Sequence, residues 1–120
     1  MEYMILIHGD ESVSRPGPGE PGFEEVMADW MVYNQRLIDG GHWVSGAMLQ
    51  PTTTATTVVK TWGGEPSLVD GPFAETKEAF AGYYVVKAAD LDEAIELATA
   101  IPILVGSIEV RPVALRPDAA

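Results

Sequence analysis

A sharp, charged turn is predicted within residues 69–78, which read Val69-Asp70-Gly71-Pro72-Phe73-Ala74-Glu75-Thr76-Lys77-Glu78. Asp and Gly before a Pro favour a tight turn, because Asp can hydrogen-bond its own nearby backbone and Gly tolerates a positive φ. We expect Phe73 to be buried, which would pin the turn against a core. Aromatic and β-branched residues dominate positions 80–86 and predict a strand. A rigid, charged loop therefore leads directly into an apolar strand.

The rest of the chain predicts alternating strands and helices. The apolar run at residues 3–7 predicts a strand that is buried on both faces. Apolar residues recur every three or four positions across 23–38, which predicts a helix that ends at Gly40 and Gly41. Asp90, with Glu93 three residues later, has the pattern of a capping box before a second helix, whose predicted inner face is Leu91, Ala94, Ile95, Ala98 and Ile101. Further strands are predicted at 42–48, 79–87 and 107–113, and a hairpin at 55–69.

This order of elements predicts an α+β fold, the ferredoxin-like split βαβ arrangement with an inserted β-hairpin. Both helices would cover the same face of the sheet. Two strands are apolar at consecutive positions, so the opposite face also needs cover. We therefore expect a two-fold homodimer, sheet against sheet, with a cavity between the sheets. One domain is predicted over residues 1–115, with a flexible tail at 116–120.

Composition argues against several classes of function. The 120 residues include no Cys, which removes disulfides, thiolate nucleophiles and Cys-based zinc sites. The formal net charge is −11 and the basic residues are scattered, so nucleic-acid binding is not expected. No apolar run approaches membrane-spanning length and no signal peptide is visible, so we expect a cytoplasmic protein without a membrane partner.

Four residues are the predicted catalytic candidates: His8, His42, Asp70 and Glu75. Both histidines lie at strand boundaries, where pockets tend to have their rims, and His suits proton transfer near neutral pH. The two carboxylates could act as a base beside an apolar cavity. The structural alternative leaves the histidines solvated, assigns Asp70 to the turn, and lets Glu75 pair with backbone or across a dimer. No motif predicts a cofactor, a phosphate loop or a metal site.

The sequence resembles the DGPF-domain group of the YCII-related proteins along nearly its whole length. The most specific match is the DGPFAETKE stretch at residues 70–78, supported by residues 106–113. The resemblance implies a dimeric α+β barrel of ferredoxin-like subunits and an association with bacterial extracytoplasmic-function sigma factors, but it implies no activity. Enzyme-like members carry a His in the first helix and an Asp before a Pro after the second, as a proposed acid–base pair. Trp30, or a neighbour, and Ile101 stand at those positions here, so the resemblance does not carry that pair over.

We expect a dimeric module that binds a small molecule. Any catalysis would be cofactor-free acid–base chemistry on a neutral or cationic compound near the dimer interface, and whether the protein is an enzyme stays open. The alternative is a non-catalytic regulatory or accessory protein associated with a sigma factor, which predicts an apolar or acidic exterior and no polar group inside the cavity. A third reading, a metal-dependent enzyme, requires an ion bound at a histidine.

Overall fold

The computed structural model of the protein describes residues 1–103 and 105–117. Its elements follow the predicted order and are, along the chain, β1 (Glu2–Asp10), α1 (Phe23–Asp39), β2 (Trp43–Met48), β3 (Thr56–Val59), β4 (Ser67–Asp70), β5 (Glu78–Lys87), α2 (Leu91–Thr99) and β6 (Gly106–Pro112). A single 3-10 turn, Thr52–Thr54, precedes β3. The predicted elements are confirmed, with small changes at their ends.

Four strands form one antiparallel sheet in the order β2-β5-β1-β6, and β3 pairs with β4 in a separate hairpin. The two helices connect β1 to β2 and β5 to β6. These features confirm an α+β fold of the ferredoxin-like kind with an inserted hairpin. The sheet is open in the single chain. The predicted barrel needs a second chain and stays a prediction.

The hydrophobic core lies between the sheet and the helices. Alternate residues of β1 are buried there, among them Ile5 and Ile7, which pack with Leu37 of α1 and Val86 of β5. Each fully buried side chain of this size contributes roughly 1.5–3 kcal/mol. The Tyr33 hydroxyl donates to the Leu97 carbonyl at 2.7 Å and joins the two helices.

Burial along β1 alternates, so the prediction that both faces of this strand are buried is wrong for the single chain. The side chains of Met4 and Leu6 point away from the helices and are only half-buried. The fold of one chain therefore covers this second face only in part: Met4 and Leu6 are half-buried, whereas their neighbour Val85 of β5 is 4% exposed.

The helices begin as predicted, yet their inner faces differ from the predicted ones. Gly22 before α1 has φ +89°, a conformation that suits glycine. Asp90 Oδ1 accepts from the Glu93 amide at 2.9 Å, which confirms the predicted cap of α2. The inward side chains are Trp30, Tyr33, Leu37, Ala94, Leu97 and Ala98, whereas Val26, Met27, Met31, Ile38, Leu91 and Ile95 are exposed. No helix within the described ranges is long and apolar enough to span a membrane.

The sheet surface opposite the helices is the open face. In register across the strands it carries the side chains of Glu2, Met4, Leu6, His8, Tyr83, Val85, Lys87, Ser107, Glu109 and Arg111. The molecule is broad and thin, 47 × 44 × 21 Å, with a radius of gyration of 16.5 Å. A compact chain of this length has a radius of gyration of about 14 Å. The helices thus cover one face only, and the hairpin extends beyond the sheet.

The predicted tail falls partly within the described residues. Val113 donates its amide to the Glu2 carbonyl at 2.9 Å, and Arg116 Nε lies 2.6 Å from Glu2 Oε1. Residues 118–120 lie outside the described part of the chain. The last described residues therefore run beside β1.

Candidate functional site

The chain bends after β4 with Gly71 at the predicted positive φ, but the bend does not bury Phe73. Gly71 has φ +105° and donates its amide to the Ala55 carbonyl at 2.8 Å, while Thr57 Oγ1 donates to the Gly71 carbonyl at 2.7 Å. These bonds close the base of the hairpin. Phe73 is 91% exposed, so the expectation that it anchors the turn in a core is wrong for the single chain. The turn projects from the sheet and places Phe73 on the rim of a cavity instead.

A β-bulge in β5 positions the next aromatic residue. Ile7 pairs with Gly82, but the following residue His8 pairs with Phe80, so Ala81 is the extra residue. Bulges re-aim side chains near functional sites. Here the bulge puts Phe80 on the open face beside His8, with ring centroids 5.6 Å apart and planes inclined by 56°.

The main cavity occupies the angle between this end of the open face and the two loop segments that flank the hairpin. Its volume is about 660 Å³, within the range of roughly 300–1,000 Å³ that is typical of ligand pockets. The lining consists of His8 and residues 49–52, 54–55, 72–74, 76 and 78–80. Leu49, Pro51, Pro72 and Phe80 make most of it apolar, and His8 is its titratable nitrogen base.

Polar groups of the open face surround His8. His8 Nε2 lies 3.9 Å from Glu109 Oε1, too far for a hydrogen bond but close enough for an ion pair when the ring is protonated. Glu109 also accepts from Arg111 Nε at 2.9 Å, and Ser107 donates to the Glu78 carboxylate. The His8 and Glu109 side chains are 30% and 42% exposed, so their mutual attraction is weak in the single chain. An imidazole between an aromatic ring and a carboxylate can exchange a proton with a bound molecule.

A second, more polar cavity lies behind the same wall. It has a volume of about 430 Å³ and shares Leu49, Pro51 and Phe80 with the main cavity. Asp10, in its lining, accepts from Ser12 Oγ at 2.6 Å and from the Ser12 amide at 2.9 Å. These two hydrogen bonds, together with the nearby charges of Lys77 and Arg15, lower the pKa of Asp10. Asp10 therefore stays a carboxylate and anchors the loop that follows β1.

The structure brings some of the four predicted catalytic residues together and separates others. His8 lines the main cavity, and Glu75 lines a neighbouring cavity of about 310 Å³ that shares Pro72 with it. Asp70 is exposed and pairs with Thr56 at the base of the hairpin. Their roles in catalysis stay predictions.

His42 lies at the opposite end of the sheet from His8. Its Nδ1 is 2.8 Å from the Lys87 carbonyl and 3.9 Å from Glu93 Oε1. Lys87 is seven positions along β5 from Phe80, the strand partner of His8, so roughly 20 Å separates the two histidines. They cannot act on one small molecule within one chain.

Trp30 and Ile101, which the resemblance sets at or beside the positions of the acid–base pair of enzyme-like members, are packed apolar residues. Trp30 stacks on Tyr84 with ring centroids 6.5 Å apart, and Ile101 is 5% exposed in the core. In residues 1–103 and 105–117, no group of three or more His, Asp or Glu side chains is arranged to hold a metal ion.

Sequence reasoning missed Phe80 as a wall of the site. The bulge that turns its ring towards His8 depends on strand register. The local signal for it is Gly82, next to Ala81, because a lone Gly inside a strand often marks a bulge. Glu109 was visible as a polar residue of the last strand, but its closeness to His8 follows from the pairing of β1 with β6.

Comparison with known proteins agrees with the resemblance seen in the sequence. The YCII-related domain family matches residues 1–115. An uncharacterized protein of Rhizobium meliloti (strain 1021) is 41% identical over 119 residues, which cover 96% of this chain and 94% of that protein. Neither description names an activity.

Proposed function

We propose that this chain, which belongs to the YCII-related family, is a two-fold dimeric module that binds a small organic molecule in the main cavity. The observation that carries the proposal is a cavity of about 660 Å³ whose wall is mostly apolar and contains His8. Pockets of this size and composition, with a few convergent polar groups, are the usual binding sites for small ligands.

The lining indicates the chemical class of the ligand. Among the described residues that line the main cavity there is no Lys or Arg, and Glu78 is acidic. The whole chain carries a net charge of −11. An anionic ligand would be repelled, so the fitting ligand is neutral or cationic, with an apolar body that contacts Phe80.

Any chemistry in this site would be proton transfer by His8. The ring centroid lies 5.6 Å from that of Phe80, and Nε2 lies 3.9 Å from Glu109 Oε1, so the ring has a carboxylate beside it. Glu75 lines the adjoining cavity and is the second candidate for contact with a ligand. Asp70 is proposed to act through the turn that holds the cavity wall, and His42 belongs to a separate part of the surface.

The open face supports the proposed dimer. Met4, Leu6 and Tyr83 lie there, half-buried, on the side that the helices do not cover. Two such faces would stack about 10 Å apart around a two-fold axis and shield these side chains from water. The main cavity opens at the edge of this face, so the second copy would close part of its mouth.

A ligand screen tests the binding proposal. A specific ligand raises the melting temperature by mass action. Hits are then titrated by calorimetry into the wild type, Ala74→Phe and Ala28→Phe. Ala74 lines the cavity and Ala28 is on the exposed surface of α1, so both sites accept a larger side chain without core strain. We expect loss of binding only in Ala74→Phe.

Equal affinity for all three proteins would place the ligand elsewhere and contradict the proposal. His8→Gln then separates binding from chemistry, because Gln keeps hydrogen-bonding capacity but cannot transfer a proton near neutral pH. If the protein is an enzyme, turnover falls in His8→Gln while ligand affinity changes little.

The second candidate is a non-catalytic accessory protein that acts with an extracytoplasmic-function sigma factor. It is favoured by the acidic outer surface of the helices, where Glu24, Glu25, Asp92 and Glu96 are exposed. This surface suits a basic partner. Because this candidate predicts a cavity without polar groups, His8 in the lining favours the first. Co-purification of a sigma factor that is lost in Glu24→Lys/Glu25→Lys would favour the second.

A further inference from the structure

The β3–β4 hairpin is an exposed, largely apolar arm, defined here as residues 56–70. Its strands pair in register, with Val58 opposite Leu68 on one side and Thr57 opposite Val69 on the other. Leu68 is 73% exposed and Val58 is 56% exposed, and Trp62 at the tip is exposed completely. Both sides of the arm therefore present apolar side chains.

Within the part of the chain that the structure describes, no third strand pairs with the arm. Its two strands pair with each other and form a sheet separate from the main one. A lone two-stranded hairpin is marginally stable in water and needs a third strand or a packed face. An exposed apolar surface of this kind marks an interaction site.

The charges on the arm and on the open face indicate which kind of partner the arm contacts. The arm carries Lys60, Glu65 and Asp70, and the charged residues of the open face that do not line the main cavity are Glu2, Lys87, Glu109 and Arg111. These two surfaces together carry four acidic and three basic residues, a net charge of −1, although the chain as a whole has a net charge of −11. A basic partner would be drawn to the acidic helices instead. A second copy can meet these apolar, nearly neutral surfaces with little net repulsion.

We propose that the hairpin is an intersubunit arm: in the two-fold dimer, the arm of each copy packs against the other copy and buries Trp62 there. This inference rests on the dimer in the proposed function. It adds the arm to the open face as a second surface through which the two copies make contact. The arm springs from Ala55 and Gly71, next to the wall of the main cavity. Contact with the second copy therefore fixes the cavity wall in place, and the arm couples dimer formation to ligand binding.

Two matched substitutions test the arm. Leu68→Asp and Val32→Asp introduce the same charge at residues that are 73% and 71% exposed, one on the arm and one on α1. Because both side chains are exposed, both substitutions should change the unfolding free energy of the single chain only slightly. The arm contact predicts that the dimer dissociation constant in sedimentation equilibrium rises roughly tenfold or more for Leu68→Asp and less than about twofold for Val32→Asp.

Trp62 gives an independent readout. The fluorescence of wild type minus Trp62→Phe reports Trp62, and its quenching by acrylamide should increase on dilution through the dissociation constant. Trp62→Ser cannot disturb the core, because the side chain is fully exposed. It should weaken the dimer even if Leu68→Asp fails to fold.

The arm contact is contradicted by two results together. The wild type is a dimer whose dissociation constant neither Leu68→Asp nor Trp62→Ser changes, and acrylamide quenches Trp62 equally at all protein concentrations. If the wild type is a monomer, both the intersubunit arm and the proposed dimer are contradicted. Ligand binding by that monomer, lost in Ala74→Phe, would still support the cavity, so the two proposals fail separately.

Discussion

The Tyr84 hydroxyl donates a hydrogen bond to Asn34 Oδ1 across 2.5 Å and ties the centre of β5 to α1. Burial raises the pKa of Tyr84 to about 12 from its usual 10.0. Trp30, Tyr33 and Trp43 surround its ring, so the phenolate would form in an aromatic and poorly solvated place. The same contact that joins sheet and helix thus makes the fold sensitive to alkaline pH.

Alkaline unfolding should depend on Tyr84. Its folded pKa lies above the unfolded value, so its stabilisation is complete below pH 10 and is lost as the pH rises towards 12. We expect Tyr84→Phe to remove on the order of 1–2 kcal/mol of the fall in unfolding free energy over this interval, measured by urea unfolding. Burial also raises the pKa of Tyr33, so the unfolding free energy of Tyr84→Phe should still fall somewhat with rising pH. An unchanged slope in Tyr84→Phe would contradict this account.

Acid stability should depend on Ser12. Its hydroxyl and amide lower the pKa of Asp10, so the stabilisation is present above the ordinary value of 3.8 and is lost as the pH falls through the folded value. Ser12→Ala removes the hydroxyl bond and should raise the pKa of Asp10 towards 3.8, as seen by carbon NMR of the carboxyl group. The control is Ser14→Ala, in the same loop, which should leave that titration in place. A titration of Asp10 identical in wild type and Ser12→Ala would refute the role of the hydroxyl.

Gly82 should not tolerate a side chain. A Cβ there would lie 2.7 Å from the Ala47 carbonyl oxygen of β2, which cannot move without opening the β2–β5 pair. Gly82→Ala should lower the unfolding free energy by about 1–3 kcal/mol in urea titrations. At Gly17 the nearest atom is the flexible Glu20 carboxylate, so Gly17→Ala should change it by less than about 0.5 kcal/mol. Equal effects of the two substitutions would rule out the close strand contact.

Phe73 should matter for binding and little for the stability of one chain. The ring is 91% exposed, so Phe73→Ser should change the unfolding free energy of dilute, monomeric protein by less than about 0.5 kcal/mol. A buried Phe would cost about 3–5 kcal/mol on truncation. Because Phe73 lines the main cavity, ligand affinity should fall. A large loss of stability without any change in affinity would mean that the ring is a core anchor after all.

Local chemistry made the order of elements predictable from sequence. Gly71 takes the positive φ that the Asp-Gly-Pro sequence predicts, and Asp90 caps α2 through the Glu93 amide. Such signals act over a few residues, so they do not depend on how the rest of the chain packs. The period of apolar residues was equally reliable for the existence of α1.

Burial was harder to predict because it depends on what lies opposite each residue. In α1 the inward positions Trp30, Tyr33 and Leu37 begin only at the middle of the helix, while Met27 and Met31 share the apolar composition but are exposed. Phe73 misled for the same reason: a large apolar residue was assigned to the core of its own chain. In the site, His8 could be picked out by its chemistry, but its neighbour Phe80 depends on strand register.

Ala81, the bulge residue in the pairing of β5 with β1, also determines which residues the cavity wall contains. Side chains alternate along a strand, so a shift of one residue in the pairing exchanges the two sides of everything beyond it. If Ala81 paired with His8 and the bulge were lost, Phe80 and Glu78 would turn to the helix side and Ala79 would face the cavity, while the order of strands stayed the same. The register of these few residues therefore decides whether an aromatic ring or a methyl group faces His8.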